Sequence, residues 1–245
     1  MVSAKLFALA ALAAVASASP CKPPVLTLPS TGGTSDLAAP PANDVVKRIA
    51  IGHGIQNYTC NSALSPTASA TGALAVLYDA TPLYPGTPKT GLKQAAWDTL
   101  PSTALWGSPL PLNLAVPGGY AANETNPFPA PADLVLGNMA PIKFLGHHYF
   151  AADTTPTFDL SAIGLKASVL KNDTRPAPAT ADKGILGTGA VAWVLLRDPG
   201  LGRSIGIDTV YRVVVAGGAA QPCSVTGDGH FSVPYATFYW FYGPK

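Results

Sequence analysis

Proline and glycine constrain this chain more than any other feature, since together they make up 49 of its 245 residues. Proline fixes φ and has no amide hydrogen, so it interrupts helices and sheets. Long helices are therefore not expected, and turns should be frequent. Ten prolines fall within residues 81–131. We interpret this stretch as a Pro-rich excursion that either packs over the core or carries function, because structureless loops of that length are uncommon in compact domains.

Several other stretches alternate apolar and polar residues between Gly, Pro or Asp turns, which is the pattern of β-strands. The clearest is 46–60, with a bend at Gly52 and Gly54. Both faces of 231–242 are apolar, which predicts a central strand. Further strands are predicted at 73–78, 143–150, 163–170, 190–196 and 207–216, and a short helix at 92–100. The expected fold is all-β, a single-domain sandwich or barrel-like core that carries the excursion.

The N-terminus has the form of a secretory signal peptide. Lys5 precedes an apolar run of about ten residues, and Ala16-Ser17-Ala18 supplies the small-x-small pattern that signal peptidase accepts. We therefore predict that residues 1–18 are removed and that the protein is secreted and extracellular. Pro-rich residues 19–45 then form an extended leader before a single β-rich domain at 46–243. The apolar run is shorter than the roughly 20 residues that span a bilayer, so no membrane span is expected.

Three cysteines remain after this cleavage: Cys21, Cys60 and Cys223. Disulfides form and persist in an oxidising compartment, so one disulfide and one unpaired thiol are expected. Three pairings are open. We favour Cys60 with Cys223 because both end strand-like segments, whereas Cys21 lies in the Pro-rich leader.

Three Asn-x-Thr triplets predict N-glycosylation at Asn57, Asn123 and Asn172. Asn57 is the weakest acceptor because it lies in a predicted strand. Together with the signal peptide the triplets are typical of a eukaryotic secretory route, and the Ala/Pro/Thr-rich composition suggests a fungal source. The formal net charge is only +2, so neither nucleic acid nor an anionic membrane is expected as a partner.

Several short motifs, taken in order, resemble those of one family. They are IGHGIQNYTC at 51–60, GHHYF at 146–150, AWVLL at 192–196, YRV at 211–213 and VPYATFYWFY at 233–242. Together they resemble the secreted fungal and bacterial domain of unknown function 3455, over roughly residues 46–243. The resemblance implies no established activity, although some members carry a malate dehydrogenase label. The chain departs from the family pattern after Tyr149, where Gly-Pro-Thr-Trp is typical and residues 150–158 stand instead.

The dehydrogenase label can be compared with the sequence at residues 187–192, which fit the dinucleotide-binding fingerprint, with Asp208 further on. That fingerprint must close a strand and open a helix, so that the pyrophosphate lies on the helix N-terminus. Here a β-type run follows the glycines. We interpret them as a turn that enters a strand, and malate dehydrogenase activity is disfavoured.

Residues 202–206 spell the Gly-x-Ser-x-Gly nucleophile elbow, which would make Ser204 a nucleophile and His230 its base. The elbow needs a helix after its turn, whereas a Val-rich predicted strand follows, so a hairpin turn is the favoured interpretation.

Glycoside hydrolysis needs two carboxylates. The chain has one glutamate, Glu124, and no recognisable aspartate pair.

Three histidines in the family motifs are the candidates for metal binding: His53, His147 and His148. Adjacent residues of a strand point to opposite faces, so only one of His147 and His148 can join His53. Asp153 or His230 would have to supply a third ligand. Histidine in an apolar strand is more often a hydrogen-bonded structural residue, and no other cofactor is expected.

Four aromatic residues alternate with the prolines of the excursion: Trp97, Trp106, Tyr120 and Phe128. Exposed aromatic rings can hold sugar rings, and the alternative is that they anchor the excursion to the core. The preferred hypothesis is a non-catalytic secreted glycoprotein that binds cell-wall polysaccharide or a host surface. The alternative is an extracellular metal-dependent or hydrolytic enzyme that uses His53 with His147 or His148. The oligomeric state is left open.

Overall fold

A computed structural model of the chain describes residues 24–64 and 67–245, and the predicted signal peptide and Cys21 lie outside them. The strands are β1 (Asp44–Cys60), β2 (Ser69–Asp79), β3 (Phe144–Phe150), β4 (Pro156–Leu160), β5 (Leu165–Ser168), β6 (Leu170–Arg175), β7 (Trp193–Arg197), β8 (Thr209–Gly217) and β9 (Gly229–Pro244). Three short helices accompany them: α1 (Gln94–Asp98), α2 (Leu100–Gly107) and α3 (Cys223–Thr226). The strands form one sheet in the order β5-β4-β3-β2-β1-β9-β8-β7-β6, antiparallel throughout.

This sheet curls into a nearly closed barrel because its two outermost strands are consecutive in the chain. Only Val169 separates β5 from β6. Residues 204–206 add to the closure along β5. There the Lys166 amide donates to the Ile205 carbonyl at 2.9 Å, and the Ile205 amide donates back to the Lys166 carbonyl at 2.8 Å. The prediction of an all-β, barrel-like core is confirmed.

Contacts between distant strands show which face of the sheet is the interior. Phe158 of β4 lies 5.4 Å, ring centroid to ring centroid, from Phe241 of β9. Three strands separate β4 from β9 in the sheet, so these rings can meet only across the barrel. Tyr239 points inward with Phe241 and also contacts Phe158. The interior is therefore packed with aromatic rings.

The outer face of the central strands is covered by the excursion, in which α1 and α2 pack against β9 and its neighbours. Trp97 of α1 is 4% exposed and lies on Phe238 of β9. Because rings of β9 are buried on both faces, it is the central strand that its sequence predicts. Of the two interpretations of the excursion, packing over the core applies to this part of it.

Several elements differ from the sequence predictions for identifiable reasons. The predicted strand at 163–170 is divided into β5 and β6 at Val169, where the chain crosses from one edge of the sheet to the other. The predicted helix at 92–100 is α1, and α2 follows it after Thr99. Pro101 is tolerated in α2 because it lies in the first turn, where a missing amide hydrogen costs little. The described part of the predicted leader, from residue 24, contains no helix or strand before β1 and packs on the barrel. Leu37 is buried, and the Tyr211 hydroxyl donates to the Ala38 carbonyl at 2.7 Å.

A disulfide joins Cys60, at the end of β1, to Cys223, at the start of α3, with 5.6 Å between their Cα atoms. This is the favoured pairing of the sequence analysis. Among the described residues, every helix is too short or too polar to span a bilayer.

Candidate functional site

The three candidate histidines lie on neighbouring strands but not on one face. His53, Val76 and His147 are direct cross-strand neighbours on β1, β2 and β3, so their side chains share the outer face. Val76 stands between the two histidines, whose backbones are two strand spacings, or about 10 Å, apart. His148 points inward, as alternation along β3 predicts. Within the described part of the chain, no group of three His, Cys, Asp or Glu side chains is placed to hold a metal ion.

His148 is held as a structural residue of the barrel interior. Its Nδ1 lies 2.9 Å from the Thr157 carbonyl oxygen, and its ring stacks on Phe158 at 4.1 Å between centroids. Burial lowers the pKa of His148 to about 4, so the imidazole is neutral at ordinary pH. The ring therefore acts as a hydrogen-bonded member of the aromatic core.

His147 fixes the excursion to the sheet. Its ring lies 4.1 Å from that of Phe128, which belongs to the excursion. Burial lowers the pKa of His147, against an opposing contribution from the Asp159 carboxylate. Of the four aromatic residues of the excursion that were predicted as candidate sugar-binding rings, only Phe128 lies on this face of β3.

Ser204 has both hydrogen-bonding capacities of its hydroxyl engaged. It accepts from the Ser168 amide at 3.0 Å and donates to the Ser168 carbonyl at 3.2 Å. The strand β8 follows it rather than a helix, while His230 pairs with Thr59 on β1. The hydrogen bonds of Ser204 therefore anchor the 204–206 segment to β5.

Residues 187–192, which fit the dinucleotide-binding fingerprint, form a turn and an isolated bridge before β7, not the start of a helix.

A cleft of about 640 Å³ lies at the end of the barrel where β1 and β3 end and β2 and β9 begin. One wall belongs to the sheet and the other to the excursion. Aromatic rings line it at Tyr58, Phe128, Tyr149, Phe150 and Phe231. Amide, hydroxyl, carboxylate and imidazole groups line it at Asn57, Asn123, Ser232, Thr71, Glu124 and His230. Among the described residues that line it, none is lysine or arginine.

On the outer face of β1, apolar side chains give way to a polar one at the cleft. Ile51 and Ile55 lie on the outer face and are fully buried. Asn57 continues this row and is only half-buried. Its Oδ1 accepts a hydrogen bond from the Ser232 hydroxyl at 2.8 Å. This bond leaves the N–H groups of the Asn57 amide to face the cleft.

The aromatic rings of the floor are fixed by their neighbours. Tyr58 and Phe231 stack with centroids 5.5 Å apart, and the Tyr58 hydroxyl donates to the Gly218 carbonyl at 2.6 Å. Phe150 lies close to β2 at Gly72, where a Cβ would stand 3.3 Å from the phenyl ring. Glycine at this position therefore lets the ring approach the strand.

The opposite wall is a turn of the excursion. Oδ1 of Asn123 accepts hydrogen bonds from the amides of Thr125 and Asn126, both at 3.0 Å, which shapes the turn that carries Glu124. Glu124 is exposed at the rim. Because Phe128 contacts His147, the end of this wall is attached to the sheet.

Tyr149 is half-buried in the cleft and follows the two adjacent histidines on β3. Burial, with a smaller contribution from Asp159, raises the pKa of Tyr149. Its hydroxyl therefore remains protonated and can donate a hydrogen bond. Rings that offer an apolar surface, surrounded by amide and hydroxyl groups, suit an uncharged ligand rich in hydroxyl groups.

The four aromatic residues predicted as a binding platform do not form one surface. Trp97 is buried on β9, whereas Trp106 is 59% exposed and donates from its indole nitrogen to Asp182 at 2.7 Å. Tyr120 lines a different cavity, and Phe128 alone lines the cleft. The cleft residues that the sequence analysis did not propose, Tyr149, Phe150 and Phe231, lie in or beside the family motifs.

The predicted glycosylation sites occupy three different environments. Asn57 is half-buried in the floor of the cleft, and Asn123 is half-buried in its wall. Asn172 is exposed on β6, where the register with β7 shifts. Asn172 is therefore the most accessible of the three in the folded protein.

The fold and the cleft together define an antiparallel, barrel-like domain with an aromatic cleft at one end. The chain belongs to the family described as "Protein of unknown function (DUF3455)", which matches residues 40–243. This match confirms the resemblance found in the sequence and spans the barrel from just before β1 almost to the end of β9. No curated protein and no solved structure matches the chain.

Proposed function

We propose that this protein is a secreted, non-catalytic glycoprotein that binds cell-wall polysaccharide through the cleft. The observation that carries the proposal is the lining, in which aromatic rings stand beside amide and hydroxyl groups and, among the described residues, there is no lysine or arginine. Aromatic rings pack against the C–H face of a sugar ring, while hydroxyl groups of the sugar need donors and acceptors. Both kinds of group line the cleft.

The polar groups of the floor are suited to neutral sugars. The Asn57 amide can donate to a sugar oxygen because its own Oδ1 is already engaged by Ser232. The protonated Tyr149 hydroxyl is a second donor, and the exposed Glu124 carboxylate at the rim is an acceptor. An anionic polysaccharide would find no lysine or arginine partner in the described lining.

Secretion is the second part of the proposal. It rests on the signal-peptide pattern of the sequence and on the disulfide between Cys60 and Cys223, since disulfides persist in oxidising compartments. Expression of the full chain in a fungal host tests it. We expect mature protein in the medium that begins after Ala18 and carries N-glycan at the exposed Asn172. Retention inside the cell with residues 1–18 still attached would overturn this part.

Binding is tested with protein purified from a bacterial periplasm, which forms disulfides but adds no N-glycan at Asn123 that could compete for the cleft. The probes are insoluble cellulose, chitin and β-1,3-glucan, followed by calorimetry with oligosaccharides of whichever is bound. We expect enrichment on at least one polysaccharide and a loss of about tenfold or more in affinity for Tyr149→Ala, equivalent to about 1.4 kcal/mol.

The matched control is Trp106→Ala, which removes an exposed aromatic ring outside the cleft and should bind as the unaltered protein does. The cleft would be ruled out as a polysaccharide site by either of two results. One is that Tyr149→Ala binds the polysaccharide as well as the unaltered protein does, and the other is that the unaltered protein is not enriched over an unrelated protein. Shortened oligosaccharides in the same samples would overturn the non-catalytic part of the proposal.

A further inference from the structure

A second cavity lies on the outer face of β1, beneath the excursion, and has His53 at its floor. It measures about 440 Å³ and is lined by leucine, proline and aromatic side chains: Leu105, Leu110, Pro109, Pro234, Trp106 and Tyr120. Tyr120 lines this cavity, whereas the next residue, Ala121, lines the cleft. A single segment of the excursion therefore separates two distinct cavities.

One ring nitrogen of His53, Nδ1, is buried without a hydrogen-bond partner among the described residues. The residue is 1% exposed. An unpaired buried polar group is destabilising, so most buried polar groups in folded proteins are hydrogen-bonded. The cavity borders this ring, so a bound molecule that reaches the imidazole would offset this cost.

The chemistry of the floor defines the kind of partner. Desolvation lowers the pKa of His53 to about 4, so the ring is neutral at ordinary pH. A neutral imidazole has one donor and one acceptor nitrogen. A hydroxyl group complements it because it can donate or accept. Among the described residues around this cavity, none is charged at neutral pH, which favours an uncharged molecule.

The mouth of the cavity presents apolar surface that is exposed yet fixed. Trp106 is 59% exposed, and Ile185, which also lines the cavity, is 38% exposed. The Trp106 ring is nevertheless held in place by the hydrogen bond from its indole nitrogen to Asp182. Apolar surface that is fixed around a cavity mouth is typical of a ligand contact.

We infer that this cavity binds a small, uncharged, single-ring aromatic molecule that carries one hydroxyl group, with the ring between Trp106 and the leucines and the hydroxyl group hydrogen-bonded to His53. A cavity of about 440 Å³ lies within the usual range for small-molecule sites. This inference does not depend on polysaccharide binding, since it concerns a different cavity and different residues.

The test uses 4-ethylphenol and ethylbenzene, which differ by the hydroxyl group alone. Each is titrated into ¹⁵N-labelled protein while the imidazole nitrogens of His53 are followed by NMR. We expect 4-ethylphenol to shift the His53 nitrogen resonances and to bind about tenfold more tightly than ethylbenzene, the factor that one hydrogen bond supplies. Equal affinities, or binding that leaves the His53 resonances unmoved, would overturn the inference.

Variants of exposed or half-buried residues locate the site without disturbing the core. Trp106→Ala should weaken both probes by a similar factor, because it removes apolar contact and leaves His53 in place. Tyr149→Ala, in the cleft, should leave both affinities unchanged. A reversed result, with loss in Tyr149→Ala and none in Trp106→Ala, would assign the probes to the cleft and overturn the inference. Failure of polysaccharide binding would affect the first proposal alone.

Discussion

Trp97 of α1 stacks on Phe238 of β9, with ring centroids 4.3 Å apart and ring planes 18° apart. Tyr84 meets the edge of the same indole at 5.3 Å. These contacts connect the Pro-rich excursion to the central strand of the barrel. The excursion is thus part of the hydrophobic core on one side, although it contains little regular structure.

Replacement of Trp97 by alanine is expected to lower the free energy of unfolding by about 3–5 kcal/mol, the usual cost of removing a large buried aromatic side chain. Urea denaturation monitored by circular dichroism measures it. Trp106→Ala is the control, because the ring is exposed and its loss should cost less than about 1 kcal/mol. Equal losses in the two variants would contradict the anchoring role of Trp97.

Stability should fall as pH is lowered from 6.5 to 4 because of two buried histidines. Burial lowers the pKa of His53 and of His148 from 6.5 to about 4. The unfolded chain therefore binds more protons within this window, and the folded state loses up to about 3 kcal/mol for each histidine. Above pH 6.5 both histidines are neutral in the folded and in the unfolded state, so this loss of stability is absent there.

His148→Phe keeps a ring to stack on Phe158 but removes the titrating group, so stability should change less between pH 6.5 and 4 than in the unaltered protein. Urea midpoints at several pH values give the slope. Exposed His230→Gln serves as the control. An unchanged slope in His148→Phe would show that this residue does not carry the pH dependence.

Gly54→Ala is expected to prevent folding, because the strands β1 and β2 approach too closely there for a side chain. A Cβ at Gly54 would lie 1.9 Å from the Leu74 carbonyl oxygen and 2.6 Å from the Ala75 Cα. Soluble yield and thermal melting measure the effect. Gly33→Ala is a fair comparison, since its nearest neighbour atom would be 3.6 Å away. A stable Gly54→Ala protein would contradict the β1–β2 register.

Loss of the disulfide should destabilise the protein strongly. The bond joins Cys60 and Cys223, which are 163 residues apart, and the chain-entropy model gives about 5 kcal/mol for so long a loop. The Cys60→Ser/Cys223→Ser protein should therefore melt well below the oxidised protein. The unaltered protein in reductant should have the same melting temperature as the double variant. Identical melting with and without reductant would contradict the bond.

The strands with the strongest local pattern could be predicted from sequence, and the weak ones could not. β9 is apolar on both faces and β1 alternates, so both were recognisable. β6 (Leu170–Arg175) is largely polar and exposed, and β4 begins with Pro156 and has only five residues. These strands exist because their neighbours supply hydrogen-bonding partners, and a local pattern carries no such information.

The site shows the same division. Alternation along β3 placed His147 and His148 on opposite faces. The cleft, in contrast, depends on register, which sets Ser232 of β9 and Gly72 of β2 on either side of Asn57. Tyr149 and Phe150 belong to β3 and Phe231 to β9, which are far apart in sequence, so no spacing along the chain indicates that they meet.

The pairing of β1 with β9 also decides when this protein can fold. Asp44 pairs with Pro244 and Cys60 with Gly229. The first described strand, β1, therefore cannot complete its pairing until β9, the last described strand, has been synthesised. Until then β1 has only β2 as a partner, and its other edge stays open to other chains. Folds dominated by such distant contacts form slowly and are prone to aggregate on the way. Production of this protein should therefore depend on chaperones that protect the nascent chain more than on the stability of the finished barrel.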